Sequence, residues 1–506
     1  MPNPDAPARR HVSLVALIAV LVFGLAVGFL GYRLGFNAGL ASLNNPPQAA
    51  AAQVTLAAAR ELPDLTPGPD GWIAVEHLTL AALRGDELVA EHTLDAIDTH
   101  WRPGYAPMLI ELARFSPSQS RRNATLAVSA KRFGLSASAP LDDHWAAVWA
   151  TEFEPHPDYA AFKAQLYDAI DPTFASYFDD TPAHTIRLDE VRWGGVRRDG
   201  IPPLVDPSMV AASHPDAAYL DDTNVVFGVV IDGDARAYPK RILAWHEMFR
   251  DTIGGRRIVG VYCTLCGTVI AYDAAHHGTT YELGTSGFLY RSNKLMYDPD
   301  TFSMWSTFGG TPVIGPLVGQ GIALDVHPVV TTTWGRWKAD HPDTTVLTLD
   351  TGHRRDYGEG VAYRDYFATH DLMFTIPDEL ANDRLANKAE VFVLRSNDED
   401  VQPLAIAADR LADETVFEVD HAGRRIIVLT DPSGANRAYE AADLAFTAYD
   451  PAAKTATDTT GRAWTVTENA LISKDSPNAT ALPRTAGHRA FWFGFHAAFP
   501  DAPLID

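Results

Sequence analysis

Residues 253–274 read IGGRRIVGVYCTLCGTVIAYDA. Two runs rich in β-branched and aromatic residues flank a short turn, the pattern of an antiparallel hairpin. The turn is Cys-Thr-Leu-Cys-Gly, and Cys263 and Cys266 are the only cysteines in 506 residues. A second stretch, HAGRRIIVLTDPSGANRAYEA (421–441), lines up with the first on the shared Gly-Arg-Arg, with one residue of slippage. TFSMW (301–305) has a counterpart in TGRAW (460–464). WGRWKADHPDT (334–344) matches WFGFHAAFPDA (492–502), aromatic for aromatic and Pro-Asp for Pro-Asp. Three matches in one order point to a diverged duplication, with one lobe at about 222–350 and the other at about 388–506.

In this alignment Cys263 and Cys266 fall opposite Asp431 and Gly434, and His246 falls opposite Glu414. The second copy keeps the scaffold without the thiols and without that histidine. Asp-Pro-Ser-Gly makes an ordinary turn. The turn itself therefore does not demand cysteine, which favours a functional pair and links His246 to it.

The surrounding pattern is strand-rich from about residue 186. NVVFGVVIDGDARAYP (224–239) carries Asp-Gly between two apolar runs, a hairpin signal. TTYELG, KLMYD and PVIG read as further strands. KRILAWHEMFRD and TTTWGRWKADHP read as short helices. Before it, residues 71–180 show apolar residues at helical spacing in GDELVAEHTLDAIDTHW, APMLIELARFS, RRNATLAVSAKRFG, DDHWAAVWATEF and PDYAAFKAQLYDAI. This suggests paired, solenoid-like helices acting as a spacer, with room for a protein partner.

Val12–Tyr32 contains no charged residue. Its 21 residues at about 1.5 Å each span roughly 30 Å, a bilayer's hydrocarbon thickness. Arg9 and Arg10 precede it, and only Arg33 follows closely. The expectation is a single-pass anchor with residues 1–11 in the cytoplasm, a linker at 33–70 and the body on the extracytoplasmic side. A cleaved signal sequence is the alternative. The expected fold class is thus α+β: a transmembrane helix, an α-helical spacer and a mainly antiparallel β domain of two pseudo-symmetric repeats. The net charge of −23 argues against a nucleic-acid partner.

Three chemistries fit a cysteine pair three residues apart. In thiol–disulfide exchange one thiolate attacks and the other resolves. His246 would then act as base or thiolate partner, and Arg236 as a charge partner. In a metal knuckle, Cys263 and Cys266 would bind copper or zinc together with His246 and Met296. A local disulfide is the structural alternative. No cofactor is required by any motif, and no electron donor is indicated. The dense polar and aromatic stretch GTSGFLYRSNKLMYD (284–298) is expected to supply a pocket wall through Ser286, Arg291, Asn293 and Asp298, joined by Tyr238. Ser286 lies in Gly-Thr-Ser-Gly, which is not the hydrolase elbow. Trp305, Trp334 and Trp337 read as core, and His276 and His277 as exposed hairpin residues. A non-enzymatic binding or scaffold module remains the third functional class.

Several motifs occur together and in order: DGIPPL (199–204), RAYP (236–239), WHE (245–247), YCTLCGT (262–268), SGFLYRSNKLMYD (286–298), SMW (303–305) and WGRWKADHPDT (334–344). In these the chain resembles the domain of unknown function 3179 family over roughly 186–506. Some members of that family are described as selenoproteins, with selenocysteine at a cysteine of this motif. Carried onto Cys263 and Cys266, the resemblance implies redox reactivity. Thr264 stands where the family motif usually has proline.

Overall fold

The computed structural model describes residues 62–506, except 76–77, 79–85, 180–181, 375, 378–379, 381–382, 399 and 477–480. Leu62–Asp506 forms one compact unit.

Five helices lead the described chain: Glu87–Thr99, Tyr105–Arg114, Gln119–Phe133, Leu141–Trp149 and Tyr159–Asp168. Local chemistry sets their ends. Asp86 accepts from Val89 N and Ser118 accepts from Arg121 N, while Gly134 closes the third helix at φ 69°. These helices do not stand apart as a solenoid spacer. Phe162, Tyr167 and Phe174 share a single core with Trp193, Phe288, Tyr297 and Ile314 of the first β-sheet. Lys163 donates to Val191 O at 2.8 Å, and Arg114 donates to Trp193 O at 2.8 Å. The surface proposed for docking a protein partner is in part spent on this contact.

The rest is mainly β. One five-stranded sheet holds Val191–Trp193, Gly284–Tyr290, Asn293–Tyr297, Met304–Ser306 and Pro312–Ile314. A second is built on the hairpin Arg256–Cys263 and Thr268–Asp273, with Met248–Ile253 beside it. KRILAWHEMFRD is therefore helix only over Lys240–His246, and its second half is a strand. The strand pairs with Arg256–Val261 and buries Met248, Phe249, Asp251 and Ile253 there.

Two sheets repeat each other in order and direction. In the first, Val330–Thr333 runs antiparallel to Val225–Ile231, which runs antiparallel to Asp234–Pro239, which lies parallel to Thr345–Leu347. In the second, Gly487–Phe491, Glu390–Leu394, Leu404–Ala407 and Leu504–Ile505 follow the same sequence of relations. The final sheet has eight strands. Glu418 in its first strand accepts from Phe446 N in its last at 2.6 Å, so the sheet nearly closes into a barrel.

The α+β expectation is corrected accordingly: the described chain is mostly β, with a near-barrel sheet and one small helical region welded to it. The membrane expectation is corrected as well. Among the described residues no helix is long and apolar enough to cross a membrane. The anchor at 12–32 lies outside the described residues, so neither the membrane as partner nor the single-pass, extracytoplasmic localisation is supported.

Candidate functional site

The hairpin twists its two strands together as far as the rung Cys263–Thr268. Thr264–Gly267 then turn the chain, with Gly267 at φ +58°. A side chain at Gly267 would meet the Phe491 ring at 2.7 Å, so both conformation and space demand glycine. The two sulfurs are joined as a disulfide, with the Cα atoms 5.5 Å apart. Cys263 is 2% exposed and Cys266 0%. They lie in one apolar cluster with Met296, Trp305, Trp492 and Phe495.

The far lobe holds the loop in place. Phe491 N donates to Cys266 O at 2.9 Å. Helix Trp492–Ala498 approaches so closely that a Cβ on Gly494 would stand 2.7 Å from Cys266 Cβ. Asn293 Nδ2 donates to Gly494 O at 3.0 Å and fixes that helix from the other side. Above the loop, Leu265 packs with Leu289 and Tyr366, and Tyr366 Oη donates to Leu265 O at 2.7 Å. The sulfurs are therefore covered in this form.

The corresponding hairpin of the second lobe, Arg424–Thr430 and Asn436–Glu440, turns through Asp431–Ala435. Its loop is one residue shorter, and the ladders place Cys263 level with Asp431 and Gly267 level with Gly434. Asp431 Oδ1 accepts from Ser433 N at 2.8 Å and Ser433 Oγ at 2.5 Å, which holds the turn without sulfur. The two hairpins meet at the seam between lobes. A cavity of about 170 Å³ there is lined by Tyr262 and Gly267 from one side and Ser433 and Gly434 from the other. Lys240, Glu390, Thr331 and Arg489 complete its polar wall.

These hairpin, seam and loop residues fall within one family model, described as "Protein of unknown function (DUF3179)", which matches residues 198–502. The chain belongs to this family. No curated protein and no solved structure matches the chain.

Within this DUF3179 chain the other expected site residues are dispersed. His246 is fully buried, but its Nδ1 meets Pro202 O at 2.9 Å and its Nε2 meets Tyr357 Oη at 2.6 Å. Both nitrogens are engaged away from the sulfurs. Burial pulls its pKa down to about 4, so it is neutral near pH 7. Arg236 grips Asp251 with two bonds of 2.7 Å and also pairs with Asp234. Tyr238 donates to Asp251 at 2.5 Å and stacks on Phe249. This trio ties two sheets together. Ser286 Oγ donates to Leu295 O at 2.6 Å, Arg291 pairs with Glu190, and Asp298 accepts from Thr301 in its own turn. Among the expected pocket residues, Asn293 and Arg291 reach the helix that walls the cysteine loop, Asn293 at Gly494 O and Arg291 at Ala497 O.

The metal alternative meets a poor donor set. The sulfurs are bonded to each other, both His246 nitrogens are engaged, and Met296 contributes one buried thioether. Among the described residues no group of three or more His, Cys, Asp or Glu is placed to hold a metal ion.

The seam residues Lys240, Tyr262, Thr331, Glu390 and Arg489, and the covering Tyr366, were not singled out from sequence. Lys240 directly follows the RAYP motif and Tyr262 opens the YCTLCGT motif, and that placement was the one signal available. A further buried pair, Lys294 with Glu247 at 3.2 Å, sits next to the hairpin, because Glu247 O accepts from Tyr262 N. Burial lowers the Lys294 pKa, and the Glu247 carboxylate opposes that shift.

Proposed function

We propose that the protein is a thiol–disulfide redox protein whose reactive pair is Cys263 and Cys266. The observation that carries this reading is the second hairpin. Asp431 pins an equivalent turn without sulfur, by hydrogen bonds to Ser433 and ion pairs with Arg336 and Arg437, so the fold does not need a covalent bond at that place. A disulfide kept where it is structurally dispensable is best explained by its chemistry. In the forward step a substrate thiolate attacks one sulfur, the Cys263–Cys266 bond breaks, and the other sulfur leaves as a thiolate. A second substrate thiolate then attacks the mixed disulfide. The substrate ends as a disulfide, and the protein pair, having gained two electrons and two protons, ends as two thiols.

His246 takes no part as base in this reading, since both its nitrogens are occupied. The buried sulfurs become reachable when the Tyr366 cover over Leu265 lifts. The test is equilibration of the native protein in a graded dithiol buffer, with thiols counted by alkylation and folding followed by circular dichroism. The expected result is reversible reduction of the folded protein at a potential between about −120 and −270 mV, the range of exchange catalysts. A pair that stays oxidised until the protein unfolds would return the disulfide to a purely structural role.

A further inference from the structure

The seam cavity carries a chemistry of its own, independent of the redox reading. Its wall offers several hydrogen-bond donors with nothing to donate to. Tyr262 is 1% exposed, and its hydroxyl has no hydrogen-bond partner among the described residues. Thr331 Oγ1 is buried and equally unpartnered. The Lys240 ammonium lies 5.0 Å from the Phe367 ring and has no carboxylate or hydrogen-bond partner among the described residues. Buried polar groups are normally satisfied, so such a cluster marks a place for something else to bind.

Charge says what that something is. Arg489 is already used: it donates to Glu390 at 3.0 Å, to Asn436 at 2.8 Å and to Gly434 O at 2.7 Å. Glu390 is thereby neutralised and Lys240 is left as the uncompensated charge. An unpaired cation and two idle hydroxyls call for an acceptor-rich, anionic group. Val225, Phe227 and Phe491 give the wall an apolar part, beside the hydroxyls of Thr332, Thr333 and Ser433. A cavity of about 170 Å³ has room for a ligand of a few non-hydrogen atoms. An adjoining outer chamber of about 430 Å³ shares Lys240, Glu390 and Phe491 with it and gives a way in.

The two lobes contribute differently to this pocket. The ladders set Val225 level with Glu390, and Thr331 level with Arg489. The first lobe supplies Lys240, Tyr262 and Thr331, and the second supplies the Glu390–Arg489 ion pair with Ser433 and Phe491.

We propose that the seam cavity is a binding site for a small carboxylate with a short apolar tail, its head group held by Lys240, Tyr262 and Thr331. The test uses the purified full chain in its oxidised form, titrated with sodium propionate and, separately, with inorganic phosphate. Binding is read by ligand-observed NMR and by the thermal midpoint. Saturable propionate binding is expected with a Kd on the order of 1 mM, a range open to so small a ligand. Lys240→Met should weaken it about tenfold or more, and Thr331→Val about threefold. Absence of saturable propionate binding would overturn the proposal. So would binding left intact in both variants, which would place the ligand elsewhere. Phosphate binding without propionate binding would also overturn it, because the apolar wall would then have no role. Because the disulfide stays closed throughout, none of these outcomes depends on the redox reading.

Discussion

The hairpins Arg256–Asp273 and Arg424–Glu440 start from the same Gly-Arg-Arg and are held by opposite means. In each, the helix of the other lobe packs on the turn. Helix Trp334–Asp340 brings Arg336 to 3.4 Å from Asp431, and helix Trp492–Ala498 brings Gly494 against Cys266. Counting from Trp334 and Trp492, Arg336 and Gly494 hold the same place in their helices. One seam contact is an ion pair, with Arg437 also 3.4 Å from Asp431. The other is close apolar packing on a disulfide. A single backbone plan thus accepts either a charged network or a sulfur bridge at its turn. What differs between the lobes is the chemistry made available, since the turn forms in both.

The comparison breaks most visibly at Asp431. Its side chain is buried and serves two arginines and its own turn. Asp431→Ala leaves Arg336 with Asp340 and Arg437 with Glu468, but it removes two buried ion-pair contacts and the hydrogen bonds of its own turn at once, a loss of about 3 kcal/mol. A lowered urea midpoint for the β-region is the expected outcome. Next comes acid. The buried His246 has a folded pKa near 4 against 6.5 when free. As pH falls below 6.5 the unfolded chain takes up the proton first, so stability is complete above 6.5 and drains away down to about 4. The size is on the order of 3 kcal/mol. His488, in the second lobe, is drawn down to about 3 by burial and adds to the same loss. In His246→Gln the stability at pH 7 should drop and its slope between pH 6.5 and 4 should flatten; an unchanged slope would refute this assignment.

The smaller effect is predicted for the sulfurs. A loop this short restricts the unfolded chain little, so Cys263→Ser with Cys266→Ser should cost about 2 kcal/mol. That is less than Asp431→Ala. If the double serine variant instead failed to fold while Asp431→Ala was tolerated, the lobes would have exchanged roles. The disulfide would be the indispensable pin, and the redox proposal would lose its support.

Much of the hairpin was legible because it is local. Alternating β-branched residues, Asp232-Gly233 and the Gly-Arg-Arg repeats each act over a few residues, and the strands formed where those signals lie. The role of His246 was not legible. Its partners, Pro202 and Tyr357, lie 44 and 111 residues away, and nothing in a helical window reports them. The helical region misled for a related reason. An apolar helix face says that something covers it, without saying whether the cover is another helix or, as here, a β-sheet through Trp193 and Phe288. The seam cavity was the least visible feature, because Lys240, Thr331 and Arg489 come from three distant strands and helices and form no motif.

The finest test of the contrast between hairpins is the cover over the first. Tyr366 gives one hydrogen bond to Leu265 O and otherwise packs against the loop. Tyr366→Phe keeps the ring and removes only the bond, worth about 1 kcal/mol. If local opening of this cover exposes the disulfide, the open population should rise about fivefold. The rate of reduction by dithiothreitol should rise with it, while the global unfolding midpoint moves little. Tyr366→Ala should accelerate reduction further, by removing the packing as well. Equal rates in all three proteins would mean that reductant arrives by the seam instead, past Gly267 and Tyr262. In that case Lys240→Met, at the mouth of both chambers, becomes the variant whose reduction rate should change.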